Sequence, residues 1–166
     1  MVYNQHTGSA INMNTNFENW AKKNNWKIVK QTKSIPQTVF DRYGNIPEVW
    51  LDFIEGYGSI MNSEENIWFL TAESYYPKSE DEWRYNEFEL ISLDAADGDD
   101  DFVSEITDFW NNHFPIIMSV GNGYEYYAIE LNSGNIVCGF EPEFEEAEFV
   151  ADSFNTFLEM LMNNEL

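Results

Sequence analysis

Residues 114–140, FPIIMSVGNGYEYYAIELNSGNIVCGF, decide the fold of this chain. They contain three short runs of strand-forming residues, at 114–120, 124–131 and 135–140. The triplets GNG at 121–123 and NSG at 132–134 separate these runs, and both are typical of tight turns between antiparallel strands. The stretch therefore predicts a three-stranded antiparallel meander.

Amphipathic helices are predicted on both sides of the meander. Before it, the apolar residues that recur at helical spacing are Phe102, Ile106, Phe109 and Trp110. After it, Ser153 is placed to cap a last helix. The apolar stripe of that helix consists of Phe154, Phe157, Leu158, Leu161 and Met162.

Helical patterns also occur nearer the N-terminus. A short amphipathic helix is predicted around residues 17–24. Pro47 introduces a clearer one, since proline is favoured in the first turn of a helix. Its apolar residues at helical spacing are Trp50, Phe53, Ile54 and Tyr57. Gly56 and Gly58 are expected to end it.

Two further strands are predicted at residues 67–70 and 88–93, with a polar loop between them. Residues 1–15 are polar and aperiodic, which favours a loose N-terminal extension ahead of a single domain at 16–166. Strands bracketed by helices predict an α+β fold. We expect a single antiparallel or mixed sheet with a C-terminal three-stranded meander, flanked by several helices.

The charges are distributed unevenly along the chain. Asp and Glu number 30 against 8 Lys and Arg, which gives a net charge of −22. After Arg84 there is no lysine or arginine, whereas the same 82 residues carry 19 of the 30 acidic side chains. A field of one sign repels itself in the folded state, so we expect it to complement something positive. A basic protein is therefore the favoured partner, and nucleic acid, anionic lipid and phosphorylated ligands are disfavoured.

The composition predicts a folded, cytoplasmic protein. Hydrophobic residues make up 43% of the chain and aromatic residues 17%, which is ample for a core. No segment approaches the roughly 20 apolar residues of a membrane span, and residues 1–15 lack the pattern of a secretory signal. Cys138 is the one cysteine, so it has no partner for an internal disulfide. We expect it to be a small buried hydrophobe in a reducing cytosol.

A cluster of glutamates between residues 141 and 148 admits two interpretations. Its members are Glu141, Glu143, Glu145, Glu146 and Glu148. Paired carboxylates hydrolyse glycosides when they stand at a set separation beside a sugar cleft, but no substrate-binding frame or activating base accompanies these. The second interpretation is the rim of a partner-binding surface, in which Phe144 is an apolar anchor among the charges.

The acidic residues before the helix at 102–110 do not form an EF-hand. Asp97, Asp99 and Asp101 have the spacing of the first calcium ligands, and Asp108 falls at the twelfth position. Phe102, however, stands where a glycine must make the sharp turn, and Asp108 replaces the bidentate glutamate. Helix capping and a solvated loop are the expected roles, with adventitious calcium as the alternative.

No catalytic residue, cofactor or metal is predicted. The two histidines, His6 and His113, are too few for a zinc site and leave a Ser-His-Asp triad without a convincing base. The turn at 121–123 is not followed by the helix that phosphate binding requires. His113 is expected to be structural.

Aromatic residues in the polar loop before residue 88 complete the predicted partner-binding surface, because aromatic side chains in polar surroundings are typical of interfaces. The loop contains Tyr75, Tyr76, Pro77 and Trp83. The full set of predicted partner-binding residues is Tyr75, Tyr76, Trp83, Glu125, Glu141, Glu143, Phe144, Glu145 and Glu146.

The order of these segments resembles the SUKH superfamily, the Smi/Knr-type domain. Three stretches carry the resemblance. They are IPEVWLDF (46–53) with the following YG (57–58), FWNNHFPI (109–116) leading into SVGNGYEYYAI (119–129), and EPEFEE (141–146) ending in ADSF (151–154). The first stretch is generic, whereas the second and third in this order are more specific.

The resemblance implies a non-enzymatic, cytoplasmic bacterial protein that protects its cell from a toxin made by itself or its kin, often a nuclease. Such toxins are typically basic because they grip a polyanion. The acidic surplus would then be the complementary surface, giving steered association and competition for the toxin's substrate-binding face. Fungal members look instead like regulatory interaction modules. The shared residues are mainly structural, so none transfers as a catalytic residue.

Three functional hypotheses follow. The first is an immunity protein that binds and neutralises a cognate basic toxin, which a toxin gene immediately upstream would support. The second is a regulatory scaffold, which would capture an endogenous protein from a toxin-free native host. The third is an acidic hydrolase whose turnover is lost when Glu143 or Glu145 is substituted. Neither direct nucleic-acid binding nor a membrane is predicted, and no pattern specifies an oligomeric state.

Overall fold

A computed structural model describes the backbone of residues 5–166 and the side chains of residues 12–166. The helices are α1 (Gln5–Lys23), α2 (Gln37–Tyr43), α3 (Glu48–Ile54), α4 (Glu87–Ala95), α5 (Asp100–Asn112) and α6 (Phe154–Met162), with a short 3-10 helix at Ala72–Tyr75. The strands are β1 (Lys27–Lys30), β2 (Tyr57–Met61), β3 (Ile67–Phe69), β4 (His113–Ser119), β5 (Glu125–Glu130), β6 (Ile136–Phe140) and β7 (Glu148–Ala151).

The seven strands form one sheet in which every neighbouring pair is antiparallel and each strand lies beside the next strand along the chain. Phe114 of β4 lies opposite Ile129 of β5, and Tyr127 of β5 lies opposite Cys138 of β6. Gly123, in the turn before β5, has φ +95°, a conformation that glycine adopts without strain. The predicted meander and the α+β class with a single antiparallel sheet are confirmed.

Helices cover both faces of the sheet. Successive residues of a strand point to opposite faces, and Tyr126 and Tyr127 mark the two sides. The Tyr126 ring lies 4.8 Å from the Trp110 ring of α5 and 6.2 Å from the Phe88 ring of α4. On the other face, the Tyr127 ring lies 5.1 Å from the Phe157 ring of α6. The aromatic core is thus divided between two helical layers.

The second layer also contains α1 and α3. The Phe69 ring of β3 lies 5.5 Å from the Phe17 ring of α1 and 5.8 Å from the Phe53 ring of α3. Phe53 in turn lies 5.1 Å from Phe154 of α6. These contacts bring α1, α3 and α6 together on the face opposite α4 and α5.

The helices α5 and α6 form where the sequence predicts them. The Asp99 carboxylate accepts a hydrogen bond from the Phe102 backbone N–H at 3.2 Å and caps α5. The Ser153 hydroxyl accepts one from the Thr156 N–H at 3.2 Å and caps α6. Each cap satisfies a donor that the first helical turn leaves unpaired.

The helix that follows Pro47 ends earlier than predicted. It stops at Ile54, and Tyr57 belongs to β2, because Gly56 turns the chain with φ +83°. The Tyr57 phenol donates a hydrogen bond to Glu18 at 2.7 Å. Gly58 lies in β2 instead of ending a helix, and a Cβ there would approach the Gln31 Cβ to 2.7 Å. This glycine therefore leaves room for the Gln31 side chain against β2.

The strand predicted at residues 88–93 is wrong, because this segment lies in α4. Phe88 and Ser92 are buried at a spacing of four residues, which is helical. Glu89 is also buried and pairs with Arg42 of α2 at 2.7 Å. A short apolar run fits either a strand or a helix. Here the contact of Glu89 with α2 and the packing of α4 against α5 decide for the helix.

The prediction of a loose extension at residues 1–15 is also wrong for residues 5–15, which form the first turns of α1. Residues 1–4 lie outside the described part of the chain. Met13 packs against the core, and the Asn14 side-chain amide donates a hydrogen bond to the Phe53 carbonyl at 3.0 Å. The polar composition of this segment hid the helix, which is held by contacts with α3.

Candidate functional site

The ion pairs divide the chain into two regions. In the part that the structure describes, every ion pair of a lysine or arginine joins residues between Glu18 and Glu89. These pairs are Lys27–Glu65, Lys30–Glu18, Lys33–Glu73, Arg42–Glu89, Lys78–Glu82 and Arg84–Glu87. Beyond Glu89 the described residues contain no such pair; His113 lies 3.9 Å from the Glu130 carboxylate, and burial lowers the pKa of this imidazole. The acidic surplus of the C-terminal half is therefore left without internal cations.

Helix α5 displays part of this surplus as a stripe. Asp101, Glu105 and Asp108 are exposed and follow one another at helical spacing, while Ile106 and Trp110 are buried on the inner side. The helix tolerates Asp101 in its first turn because the N-terminal end of a helix favours negative charge. The amphipathic pattern of α5 thus holds a row of carboxylates toward solvent.

The loop at residues 141–147, here called the glutamate loop, is attached to the same side of the sheet. The Trp110 indole N–H of α5 donates a hydrogen bond to the Glu145 carboxylate at 2.8 Å. The Tyr126 hydroxyl donates another to the Phe144 carbonyl. Trp110 thus joins α5 to the glutamate loop through the core, and the exposed carboxylates of these two elements are together called the acidic surface here.

Phe144 is not the exposed anchor that the sequence predicts. Its ring is buried, with 2% exposure, and stacks on the Phe88 ring of α4 at 4.7 Å. It therefore fixes the glutamate loop to the core. Burial of an aromatic ring between charged neighbours is a tertiary effect, and the run of glutamates around it gives no signal for it.

The remaining glutamates of the loop face solvent. Glu141, Glu143 and Glu146 are exposed, and repulsion from Glu143 raises the pKa of Glu146 above its ordinary value. The Glu141 backbone N–H donates to the Tyr124 carbonyl at 2.9 Å, which ties the start of the loop to the turn before β5. An approaching cation would offset the repulsion among carboxylates that lie this close together.

The predicted aromatic loop is only partly exposed. Tyr75 is buried and stacks on Phe114 at 5.6 Å, so its prediction as an interface residue is wrong. Tyr76 is half-buried and donates its hydroxyl to the Ser34 carbonyl at 2.8 Å. Trp83 keeps 37% exposure and lies 6.1 Å from Phe88, beside the glutamate loop. Of the three, Trp83 alone can extend the acidic surface.

Glu125 lies on the other face of the sheet, two residues before Tyr127. Burial raises its pKa. Burial also raises the pKa of the nearby Cys138 thiol, and the Glu125 and Glu148 carboxylates raise it further. Cys138 is half-buried, so the prediction of a buried cysteine holds only in part. Glu125 is thus separated from the acidic surface by the sheet.

Three exposed aromatic residues have no counterpart in the predicted site, and one of them, Phe140 at the end of β6, is 51% exposed. Phe102 belongs to the apolar pattern of α5, yet its side chain is 44% exposed beside Asp101. Phe149 of β7 follows Glu148 and is 65% exposed. Acidic neighbours give no signal for this exposure, because Phe88 and Phe144 are also flanked by glutamates and are buried.

His113 lies in β4 and packs against α5. Its Nδ1–H donates to the Phe109 carbonyl at 2.8 Å, and its ring stacks on the Phe109 ring at 3.9 Å. Burial lowers its pKa, while that hydrogen bond and the Glu130 carboxylate act in the opposite direction. Across residues 12–166, whose side chains the structure describes, no group of three or more His, Cys, Asp or Glu side chains is arranged to hold a metal ion.

Among the described residues, no helix has the length and apolar character needed to cross a bilayer. Comparison of the chain with models of protein families, with curated proteins and with solved structures finds no match in any of the three.

Proposed function

We propose that this chain is a cytoplasmic immunity protein that binds a basic bacterial toxin, such as a nuclease, and neutralises it without chemistry of its own. The resemblance to the SUKH superfamily motivates the biological role. The acidic surface formed by α5 and the glutamate loop supplies the physical mechanism.

A single observation carries the proposal. In the described part of the chain, none of the carboxylates on the acidic surface has a lysine or arginine partner. Repulsion among so many like charges lowers the stability of the folded protein. We therefore expect the charge to have a compensating role, either in solubility or in binding a partner. An external cationic surface allows the second role.

The stripe on α5 fits a protein that grips nucleic acid. Asp101, Glu105 and Asp108 span about 10 Å along the helix, at a rise of about 1.5 Å per residue. A toxin surface that aligns lysines and arginines with a row of phosphates accepts a row of carboxylates for the same electrostatic reason. Binding there would block access of the nucleic-acid substrate.

Exposed aromatic rings supply the short-range part of the contact. Phe102 stands in the first turn of α5, and Trp83 lies beside the glutamate loop. Aromatic side chains at the centre of an interface, surrounded by polar residues, contribute most of the binding free energy in many complexes. The carboxylates would steer the encounter, and these rings would slow dissociation.

Co-expression tests the proposal, with the toxin encoded by the neighbouring gene as partner. The wild-type chain should rescue growth, whereas the variant D101K/E105K/D108K should not. With purified proteins, the same variant should lower the association rate constant by about tenfold or more at low salt. For the wild type, that constant should fall as the salt concentration rises.

A matched control separates the acidic surface from net charge. The variant E55K/E159K/E165K makes the same change of charge at exposed residues on α6 or directly after α3 and α6, on the face of the sheet opposite α5. It should rescue growth like the wild type. Equal loss of protection in both variants would show that overall charge is responsible, and absence of any complex with the toxin would refute the proposed function.

A further inference from the structure

A groove lies on the face of the sheet opposite α5 and the glutamate loop. It is formed by α1, α3 and α6, and its volume is about 510 Å³. Binding sites for small organic molecules commonly measure about 300–1,000 Å³. The groove therefore has the size of a ligand site. One of its walls is the N-terminal part of α1, which begins at Gln5.

The floor of the groove is apolar. It is formed by Met13 of α1, Val49 of α3, and Leu158 and Met162 of α6. Leu158 is fully buried, and the other three side chains are half-buried. Methionine side chains are flexible and polarisable, so they adapt to apolar groups of different shape. The floor can therefore contact the aliphatic or aromatic part of a ligand.

The rim of the groove is acidic. Glu48 and Asp52 lie one turn apart on α3, and Glu159 faces them from α6. All three carboxylates are exposed, and no described lysine or arginine pairs with them. The other polar residues of the rim are neutral, namely Asn12, Asn16 and Asn155. The site thus combines an apolar floor with an uncompensated negative rim.

A second groove shows that this combination is not general. It measures about 390 Å³, lies between α3 and the segment after β1, and includes Lys33 among its lining residues. Lys33 pairs with Glu73 at 3.1 Å. This smaller groove therefore contains a cation of its own, whereas no lysine, arginine or histidine lines the larger one.

We propose that the groove between α1, α3 and α6 binds an organic ammonium ion that carries an apolar body. The ammonium group lies among Glu48, Asp52 and Glu159, and the body covers the floor. An organic anion is repelled by the rim, and a neutral apolar molecule gains only the floor contacts. This binding site goes beyond the proposed function and uses neither α5 nor the glutamate loop.

Titration with hexylammonium, hexanol and hexanoate tests the proposal on the full-length protein. Signals from methionine methyl groups report the location, since Met13 and Met162 line the floor. Hexylammonium should bind saturably and shift both signals. Its dissociation constant should be at least about tenfold lower than that of hexanoate, because the two ions differ in the sign of their charge.

Isosteric neutralisation sharpens the test. The variant E48Q/D52N/E159Q keeps the shape of the rim, and it should weaken hexylammonium binding about tenfold. The control variant E64Q/E80Q/D81N removes the same number of charges at exposed residues outside α1, α3 and α6 that do not line the groove. Its affinity should stay within about twofold of wild type, as expected for distant surface charges.

Several outcomes would overturn the inference. Hexanoate that binds as tightly as hexylammonium would reduce the groove to a nonspecific apolar patch. Equal weakening by the two triple variants would assign the effect to net charge. Methylammonium that binds as well as hexylammonium would show that the floor contributes nothing, and the absence of saturable binding would exclude the site. None of these results bears on toxin binding, which is tested at α5.

Discussion

Residues 18–89 neutralise much of their charge internally, whereas the residues after Glu89 expose a nearly uninterrupted negative charge. In the first region, ion pairs join elements that are distant along the chain, as Arg42 of α2 and Glu89 of α4 do. In the second region, stability depends on aromatic packing, exemplified by the stacked rings of Phe88 and Phe144. The two regions share one sheet, so the difference concerns how each is stabilised.

This difference indicates that aromatic packing, and not ion pairing, holds the C-terminal region together. Phe144, Trp110 and Tyr126 hold the glutamate loop and α5 on the sheet through ring contacts and two hydrogen bonds. Most of the surrounding carboxylates point to solvent. Their charge is available to a partner, and changing it should cost little stability, in contrast to changes in the buried ion pair.

The largest loss of stability is expected from Phe144→Ala. Removal of this buried ring leaves a cavity against Phe88, and the free energy of unfolding should fall by about 3–5 kcal/mol. The exposed Phe149 is the matched control, and Phe149→Ala should change stability by less than about 0.5 kcal/mol. Urea denaturation measures both. Similar effects of the two substitutions would contradict the role of ring packing in the acidic region.

The second largest effect is expected for the buried ion pair of the N-terminal region. Glu89→Ala leaves the Arg42 guanidinium without its carboxylate partner, and it should lower the free energy of unfolding by about 3 kcal/mol. Replacing both residues by methionine should cost less, since no unpaired charge stays buried. The double variant and the single variant are compared by urea denaturation.

An exposed carboxylate provides the control for that experiment. Glu105→Ala on α5 should change the free energy of unfolding by less than about 0.5 kcal/mol, because this side chain has no internal partner. Equal losses for Glu89→Ala and Glu105→Ala would mean that the two regions do not differ in their use of charge.

Salt should act on the two regions in opposite directions. It screens the exposed ion pairs of residues 18–89, which contribute little each, and it relieves repulsion among the acidic residues that follow. With a net charge of −22, the second effect should dominate. The free energy of unfolding should rise on the order of 1 kcal/mol between low and physiological salt. Thermal denaturation at constant pH measures the change, and a fall with salt would contradict this prediction.

The smallest effect concerns pH and His113. Burial lowers the pKa of His113 in the folded chain, so the unfolded chain takes up a proton first as the pH falls through about 6.5. Stability from this group is therefore complete above pH 6.5 and declines below it, until the folded imidazole is protonated too. His113→Gln should make the loss of stability between pH 7.5 and 5.5 less steep. Urea denaturation across this range gives both slopes, and identical slopes would contradict the prediction.

Elements with strong local signals could be predicted from the sequence. The turns around Gly123 and Gly134 and the caps Asp99 and Ser153 are local, because a few neighbouring residues define each of them. The strand predicted at 88–93 failed since its alternation spans only six residues, and contacts of Glu89 with α2 decide its helical state. The prediction of a loose extension at residues 5–15 was wrong for the same reason, because the residues that hold this part of α1 lie in α3 and α6.

The candidate site shows a similar division. The exposed Glu141, Glu143 and Glu146 were predicted from their number and charge. The burial of Phe144 and Tyr75 could not be predicted, because each ring packs on a residue that is far away in the sequence. The exposure of Phe102 was missed since helical periodicity assigns it to the same stripe as Ile106.

The sequence by itself determined the net charge, its concentration after Arg84, and the meander of β4, β5 and β6, because composition and tight turns need no distant partner. Only the tertiary structure decided which carboxylates are paired, which aromatic rings are buried, and that three helices enclose an acidic groove. These properties depend on side chains that meet across long sequence separations. The free energy of such contacts is set by burial and geometry, which no local pattern specifies.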